Sequence, residues 1–325
     1  MSLAFDCGAD VDPSLAVKRA GVVARAVCRR GGRGEVAAVF ERSLYLRLGD
    51  DFICIGDPTI GNGPTTLIIA ARVAELGLQR GQSAFIGNAR IAVGDVLLDL
   101  SNCETWRPPP WPIACATLPG TCAEIAQRAV ESPADSLVRA AFGIGDTPLA
   151  RRARPRIAKF ASWLSPPPSS SSATADDPVN AALSTELRGQ CLLDAPLSRG
   201  TTRGEMLAQA VRNLIGLGYG LTPSGDDFLI GALAMLDALQ QTNIHAALGR
   251  AVVAAADRTS PLSASFLRAA EAGHVGENLH RMIAAIMTGE ADAAVAAATH
   301  IGHTSGWDTL AGAVVTARSA DDHRC

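Results

Sequence analysis

Four prolines within the six residues RPPPWP, positions 107–112, divide this chain into stretches that cannot share one regular element. Proline lacks the backbone N–H that a central strand or a helix interior needs, so the run marks the way out of whatever precedes it. Before it, from about residue 20 to 115, short β-prone segments alternate with turn signals: AGVVARAVCR, GGRG, EVAAVFERSLYLRLG, DDFICIGDPTIGNGP, then SAFIG, ARIAVG and DVLLDL. That alternation predicts a small β-rich domain over residues 1–115, either a sandwich or a partly open barrel. Beyond the prolines the apolar residues recur at helical period. CAEIAQRAV, DSLVRAAFGIG and TPLARRARPRIAKFASWL predict a helical connection over 116–164. SPPPSSSSATADDP, at 165–178, offers nothing to a core and is a Pro/Ser linker. A helical domain over 179–325 follows, with helices expected near 204–216, 225–240, 243–257, 262–272, 275–288, 290–300 and 305–318. FLIGALAMLDAL is apolar nearly all round, the mark of a helix buried inside a bundle. The predicted class is therefore α+β, a β-rich domain followed by an all-helical one with two buried central helices.

Composition narrows the function classes. Hydrophobic residues make up 48% of the 325 and charged residues 19%, a balance that supports a packed core and not disorder. A formal net charge of −3 gives no electrostatic argument for nucleic acid or an anionic membrane. The basic run Arg151, Arg152, Arg154, Arg156 and Lys159 reads as a solvated face beside the linker. No apolar stretch approaches the roughly 20 residues of a membrane span, and MSLAFDCGADVDPSL lacks a basic region followed by an apolar one. A cytoplasmic location is expected. The eight cysteines, Cys7, Cys28, Cys54, Cys103, Cys115, Cys122, Cys191 and Cys325, form no Cys-x-x-Cys pair and are expected to be reduced and structural. His274 and His280 are too far apart for one helix face, and no His/Cys metal cluster can be read.

The chemistry concentrates in a repeated turn. SGDDFLIGA at 224–232 and SGWDTLAGA at 305–313 share Ser-Gly-x-Asp-x-Leu-x-Gly-Ala, with Thr222 and Thr304 just upstream. Ser224 and Ser305 fit the N-cap position, and Asp227 and Asp308 then fall where a carboxylate reaches back to the cap. Capping leaves Asp226 without a task, and it leaves Gly216, Gly218 and Gly220 of GLGYGL unexplained. Glycines before a helix N-terminus let backbone N–H groups approach an anion, so a phosphate or carboxylate site is one use. The P-loop lysine is missing, and the spacing is not that of a dinucleotide fingerprint. In the second turn His303 can orient a ligand or carry a proton. Gly231 and Gly312 lie one turn further on, where glycine costs about 1 kcal/mol against alanine, and close packing of the two helices is the reason expected for them. Asn62 and Gly63 of IGNGP form a lesser candidate, for which a turn between strands is the simpler account. Thr259 and Ser263 flank a helix start at Pro261, where capping suffices.

GLGYGLTPSGDDFLIGALAML, TSPLSASFLRAAEAG and IGHTSGWDTLAGAV resemble the signature stretches of the AllH-like family, and FICIGDPTIGNGPTTL is similar to that family's β-domain. Tyr219 stands where the family's turn usually carries proline, which bears on turn rigidity. The resemblance implies a subunit of the oxamate carbamoyltransferase of anaerobic allantoin breakdown, a branch of purine catabolism. That enzyme cleaves oxalurate with phosphate to give oxamate and carbamoyl phosphate, and it requires two other subunits. Those small anions suit the site read from the residues. Carbamoyl transfer needs donors for phosphate and for a developing oxyanion. Gly218, Gly220, Thr222, Ser224, Gly225, Thr304, Ser305, Gly306 and Asp308 are the candidate binding residues, with Asn62 and Gly63 beside them. Asp226, Asp227 and His303 are the candidate catalytic groups. Asp226 or Asp227 can position an amide N–H or bind Mg²⁺. Two accounts stay open, an enzyme subunit with its own substrate site and a non-catalytic scaffold subunit whose glycines serve packing alone.

Overall fold

A computed structural model describes residues 14–114, 118–165, 196–197 and 201–321. The acidic start, the linker beyond Ser165, and Cys7, Cys115, Cys191 and Cys325 lie outside the described residues. The chain divides into two compact units between Arg107 and Pro108, where RPPPWP begins.

The first unit is a barrel-like sheet. Its strands are β1 (Leu15–Gly21), β2 (Gly32–Val39), β3 (Ser43–Leu48), β4 (Asp51–Gly56), β5 (Thr66–Ile69), β6 (Ser83–Gly87), β7 (Arg90–Val93), β8 (Val96–Asp99) and β9 (Glu104–Trp106). They run in the order β5-β4-β3-β2-β6-β7-β8-β1-β9, and β1 pairs back onto β5, which closes the ring. Closure decides between the two architectures expected from the sequence: this is a barrel and not a sandwich. Closing the sheet pairs both edges of β1, antiparallel to β5 on one side and parallel to β8 and then β9 on the other. Inward residues such as Leu44, Leu46, Ile53, Ile55, Leu67 and Ile91 fill it.

One segment departs from the strand pattern. Val22–Arg30, which takes up most of the β-prone run AGVVARAVCR and one residue beyond it, is helix α1. Its buried Ala24, Val27 and Cys28 are spaced three and four apart, the helical period, and the short apolar run hid that spacing. Burial pushes the Cys28 and Cys54 thiols up to about 12, so neither is a nucleophile near neutral pH.

The second unit is helical. It comprises α2 (Leu118–Arg128), α3 (Leu137–Ala141), α4 (Pro148–Leu164), α5 (Arg203–Leu214), α6 (Ser224–Ala238), α7 (Thr242–Ala254), α8 (Pro261–Glu271), α9 (Glu277–Thr288), α10 (Ala291–Thr299) and α11 (Ser305–Asp321). The most extensive packing joins α6 to α11, the two central helices. Nearly every residue of α6 is buried, including Phe228, Leu229, Leu233, Met235 and Leu236, as its all-round apolar sequence requires. The proline exit is anchored onto this unit. Trp111 stacks on His280 with centroids 4.2 Å apart, and its indole N–H donates to Asp237 at 2.7 Å. Burial lowers the His280 pKa, which fits a structural imidazole held against Pro109 O. The basic run lies on α4, where Arg156 donates to Asn213 O at 2.8 Å and Arg151 and Arg154 approach Asp146. Among the described residues no helix is long and apolar enough to cross a membrane.

Candidate functional site

The short motif repeat is the visible part of a larger one. The pair α5 and α6 and the pair α10 and α11 are built alike. The Gly225 N–H donates to Leu217 O and the Gly306 N–H to Ile301 O, each at 2.8 Å. An added Cβ would press into the backbone of the preceding helix at both places, against Leu214 O from Gly225 and against Ala298 O from Gly306. Gly231 and Gly312 match in the same way. Gly231 lies against Thr309 O and Gly312 against Phe228 O, both closer than the 3.0 Å that a real Cβ would need. Helix-interior glycine thus serves the contact expected of it, and the two first turns are drawn together. The Thr222 and Ser305 hydroxyls meet across the pair at 3.2 Å.

Local geometry revises the capping expectations. Pro223, not Ser224, holds the N-cap position of α6, and it makes no side-chain cap bond. Ser224 and Ser305 are the first residues of their helices. Each lies instead beside the carboxylate of the opposite helix, Ser305 beside Asp227 and Ser224 beside Asp308. Asp227 and Asp308 are therefore not capping-box residues; both are buried, at 5% and 0% exposure. The backbone donors are also partly committed, because the Gly225 and Gly306 N–H groups serve internal carbonyls. What the two turns present is mainly hydroxyl groups and carboxyl groups.

These carboxyl groups are in an unusual state. Burial, and then the neighbouring Asp308, holds the Asp227 carboxyl well above the usual carboxylate range, against the opposing pull of the Ser305 and Thr222 hydroxyls. Burial pushes Asp308 up to about 7, while the Leu137 N–H and the Ser224 and Thr304 hydroxyls favour its charged form. The Leu137 N–H bonds Asp308 Oδ1 at 2.5 Å. Oδ2 of Asp227 and Oδ2 of Asp308 are buried and accept no hydrogen bond.

Asp226 is different. Its Oδ1 accepts the Gly216 N–H at 2.7 Å, and its Oδ2 accepts the Thr259 hydroxyl and, at 2.7 Å, the Ser263 hydroxyl. These three bonds tie the glycine turn and the start of α8 to α6. Ser260, not Thr259 or Ser263, caps α8 by accepting the Ser263 N–H at 3.0 Å, and its hydroxyl donates to Leu221 O. Burial raises the Asp226 pKa against the pull of these donors. Asp226→Asn is expected to destabilise the helical unit by about 1–3 kcal/mol, since an amide offers one acceptor oxygen to three donors. Urea unfolding of the variant checks it; unchanged stability would contradict this bonding.

The remaining candidates divide. Thr222, Thr304 and Ser305 are half-buried at the paired turns, whereas His303 and Gly220 are exposed on them. Gly216, Gly218 and Gly220 have φ of 70°, 116° and 96°, a left-handed path that explains all three glycines by turn geometry. Asn62 and Gly63 are buried in the first unit, in the turn before β5, where the Gly63 carbonyl accepts the Thr66 N–H at 3.1 Å. Leu137 as a donor to Asp308 was not legible in the sequence, because 171 residues separate them.

Family comparison agrees with this division into units. A model described as oxamate carbamoyltransferase subunit AllH matches residues 214–317, the span from the first glycine turn through the second. A model of the AllH family N-terminal domain matches residues 15–105, the barrel. The chain belongs to the AllH family. No solved structure matches it. The family match covers both first turns of the AllH helical unit, α6 and α11, together with α8, whose start holds Asp226.

Proposed function

We propose that this chain is a subunit of an oxamate carbamoyltransferase and binds a small anionic substrate over the paired first turns of α6 and α11. The observation that carries this reading is the repeat itself, which places the hydroxyls of Thr222, Ser224, Thr304 and Ser305 around two buried carboxyl groups. Oxamate, oxalurate, phosphate and carbamoyl phosphate all offer oxygens that hydroxyls can bond. The first two and the carbamoyl group also carry amide N–H donors that suit carboxyl acceptors. Positioned donors of this kind favour the charge that develops on the carbamoyl oxygen. His303, exposed on the second turn, is assigned the role of orienting the same ligand or carrying a proton, and Asp226 acts as a positioning residue through Gly216, Thr259 and Ser263.

A second reading has its own support, a docking surface for partner subunits. Tyr219 is 87% exposed and Leu221 46% exposed on the turn that leads into α6. Large apolar side chains presented beside a site suit a partner that covers it. Thermal unfolding with phosphate, carbamoyl phosphate, oxamate and oxalurate separates the two. Binding to the folded chain at a hundredfold excess over Kd stabilises by about 2.7 kcal/mol. A selective rise in Tm is expected for at least one of the four. No rise with any would move the function of the turns to partner docking.

A further inference from the structure

Asp226, Asp227 and Asp308 are buried carboxyl groups at the starts of two adjoining helices, and among the described ion pairs none of the three has a basic partner. Buried charge is ordinarily paired or bound to a metal ion. Asp226 is satisfied by three protein donors, but Asp227 and Asp308 each keep a buried Oδ2 without a partner. Each of these carboxyl groups also lies against a hydroxyl of the opposite helix, so both are directed into the space between the first turns.

We propose that Asp227 and Asp308 hold a hard divalent cation, of the Mg²⁺ or Mn²⁺ class, between the first turns of α6 and α11. The donor set selects that class: two carboxyl groups and the hydroxyls of Thr222, Ser224, Thr304 and Ser305 are all oxygen, with no thiolate or imidazole among them. No group of three or more His, Cys, Asp or Glu side chains able to hold a metal occurs among the described residues, so this site depends on its hydroxyls to complete the oxygen set. Charge selects the valence. Two carboxyl groups neutralise the charge of one divalent ion, and the hydroxyls beside them add neutral oxygens. The inference deepens the preceding reading and rests on it in one respect, that the ion would face the same small anion. Between two buried carboxylates an anion is repelled unless a cation intervenes.

The test uses the full-length chain, freed of metal with a chelator and titrated with Mn²⁺ while free Mn²⁺ is followed by electron paramagnetic resonance. One Mn²⁺ per chain is expected to bind, displaced by excess Mg²⁺. Asp227→Asn and Asp308→Asn should each weaken binding by tenfold or more, and the exposed-site control Asp257→Asn should not change it. Circular dichroism confirms that the variants are folded. Should either fail to fold, Ser305→Ala, which removes one neutral oxygen, is expected to weaken binding severalfold. Absence of Mn²⁺ binding at millimolar concentration, or binding unaffected by all three substitutions, would overturn the proposal. Oxamate binding is read separately: Mn²⁺ binding with no oxamate binding at saturating Mn²⁺ supports the cation site and removes the substrate reading, while oxamate binding in chelator with no Mn²⁺ binding does the reverse.

Discussion

Gly231→Ala and Gly312→Ala are each expected to destabilise the helical unit by about 1–3 kcal/mol, and together to prevent α6 and α11 from packing. Helix propensity alone predicts the opposite sign, because alanine is favoured over glycine in a helix interior by about 1 kcal/mol. Packing decides the outcome. The new methyl group at 231 meets Thr309 O, and the one at 312 meets the Phe228 carbonyl, at distances that a real Cβ does not adopt. These are backbone atoms and cannot swing aside, so the helices must separate. The carboxyl groups and hydroxyls of both first turns would then lose their register, and binding at the site should fall with stability. Urea unfolding gives the sign directly. A single substitution that left stability unchanged or raised it would contradict the close contact of the two helices.

The second large effect is on pH dependence in metal-free protein. Asp308 ionises near its ordinary 3.8 in the unfolded chain and at about 7 in the folded one. The folded state therefore binds more protons between those values, and stability falls as pH rises through that window. At about 1.4 kcal/mol per unit, the loss from this residue is roughly 4 kcal/mol, complete above the folded pKa. Asp227, raised by burial and by Asp308, adds to it with the same sign. Asp308→Asn keeps an acceptor for the Leu137 N–H but cannot ionise. The variant should lose the part of the slope between pH 4 and 7 that Asp308 contributes, keep the part that burial of Asp227 contributes, and exceed the wild type in stability above pH 7. Denaturant midpoints measured across that range in chelator check the sign; an equally steep fall in Asp308→Asn would place the titration elsewhere.

Much of this architecture is legible in the residues, and the gaps have physical causes. The two-part division, the central helices and the reason for Gly231 and Gly312 follow from prolines, from all-round apolar patterning and from the cost of glycine in a helix. Barrel closure is not legible, because the pairing of β1 with β5 links residues about fifty positions apart and leaves no local mark. Val22–Arg30 reads as a strand because a short apolar run fits either period. At the candidate site, the sequence marks the two turns that the fold pairs but assigns Asp227 and Asp308 to capping. Asp227 and Asp308 occupy positions where capping is the local rule, and only the crossing of two helices separated by some eighty residues reveals that they face each other. Asp226, unexplained locally, is accounted for by Thr259 and Ser263 on another helix. Local rules describe neighbours along the chain, whereas these bonds join residues across it.

The central claim is that the paired first turns bind substrate. It is tested most directly by calorimetric titration of oxamate into the wild type and into a Thr222→Ala, Ser305→Ala double variant, with Mg²⁺ present. These two hydroxyls meet across the helix pair and are half-buried, so their removal leaves the core intact. The account predicts a saturable heat for the wild type and an affinity at least about tenfold lower for the variant, a loss of about 1.4 kcal/mol, with little change in Tm. Equal affinity in both proteins would place the substrate elsewhere and contradict the account.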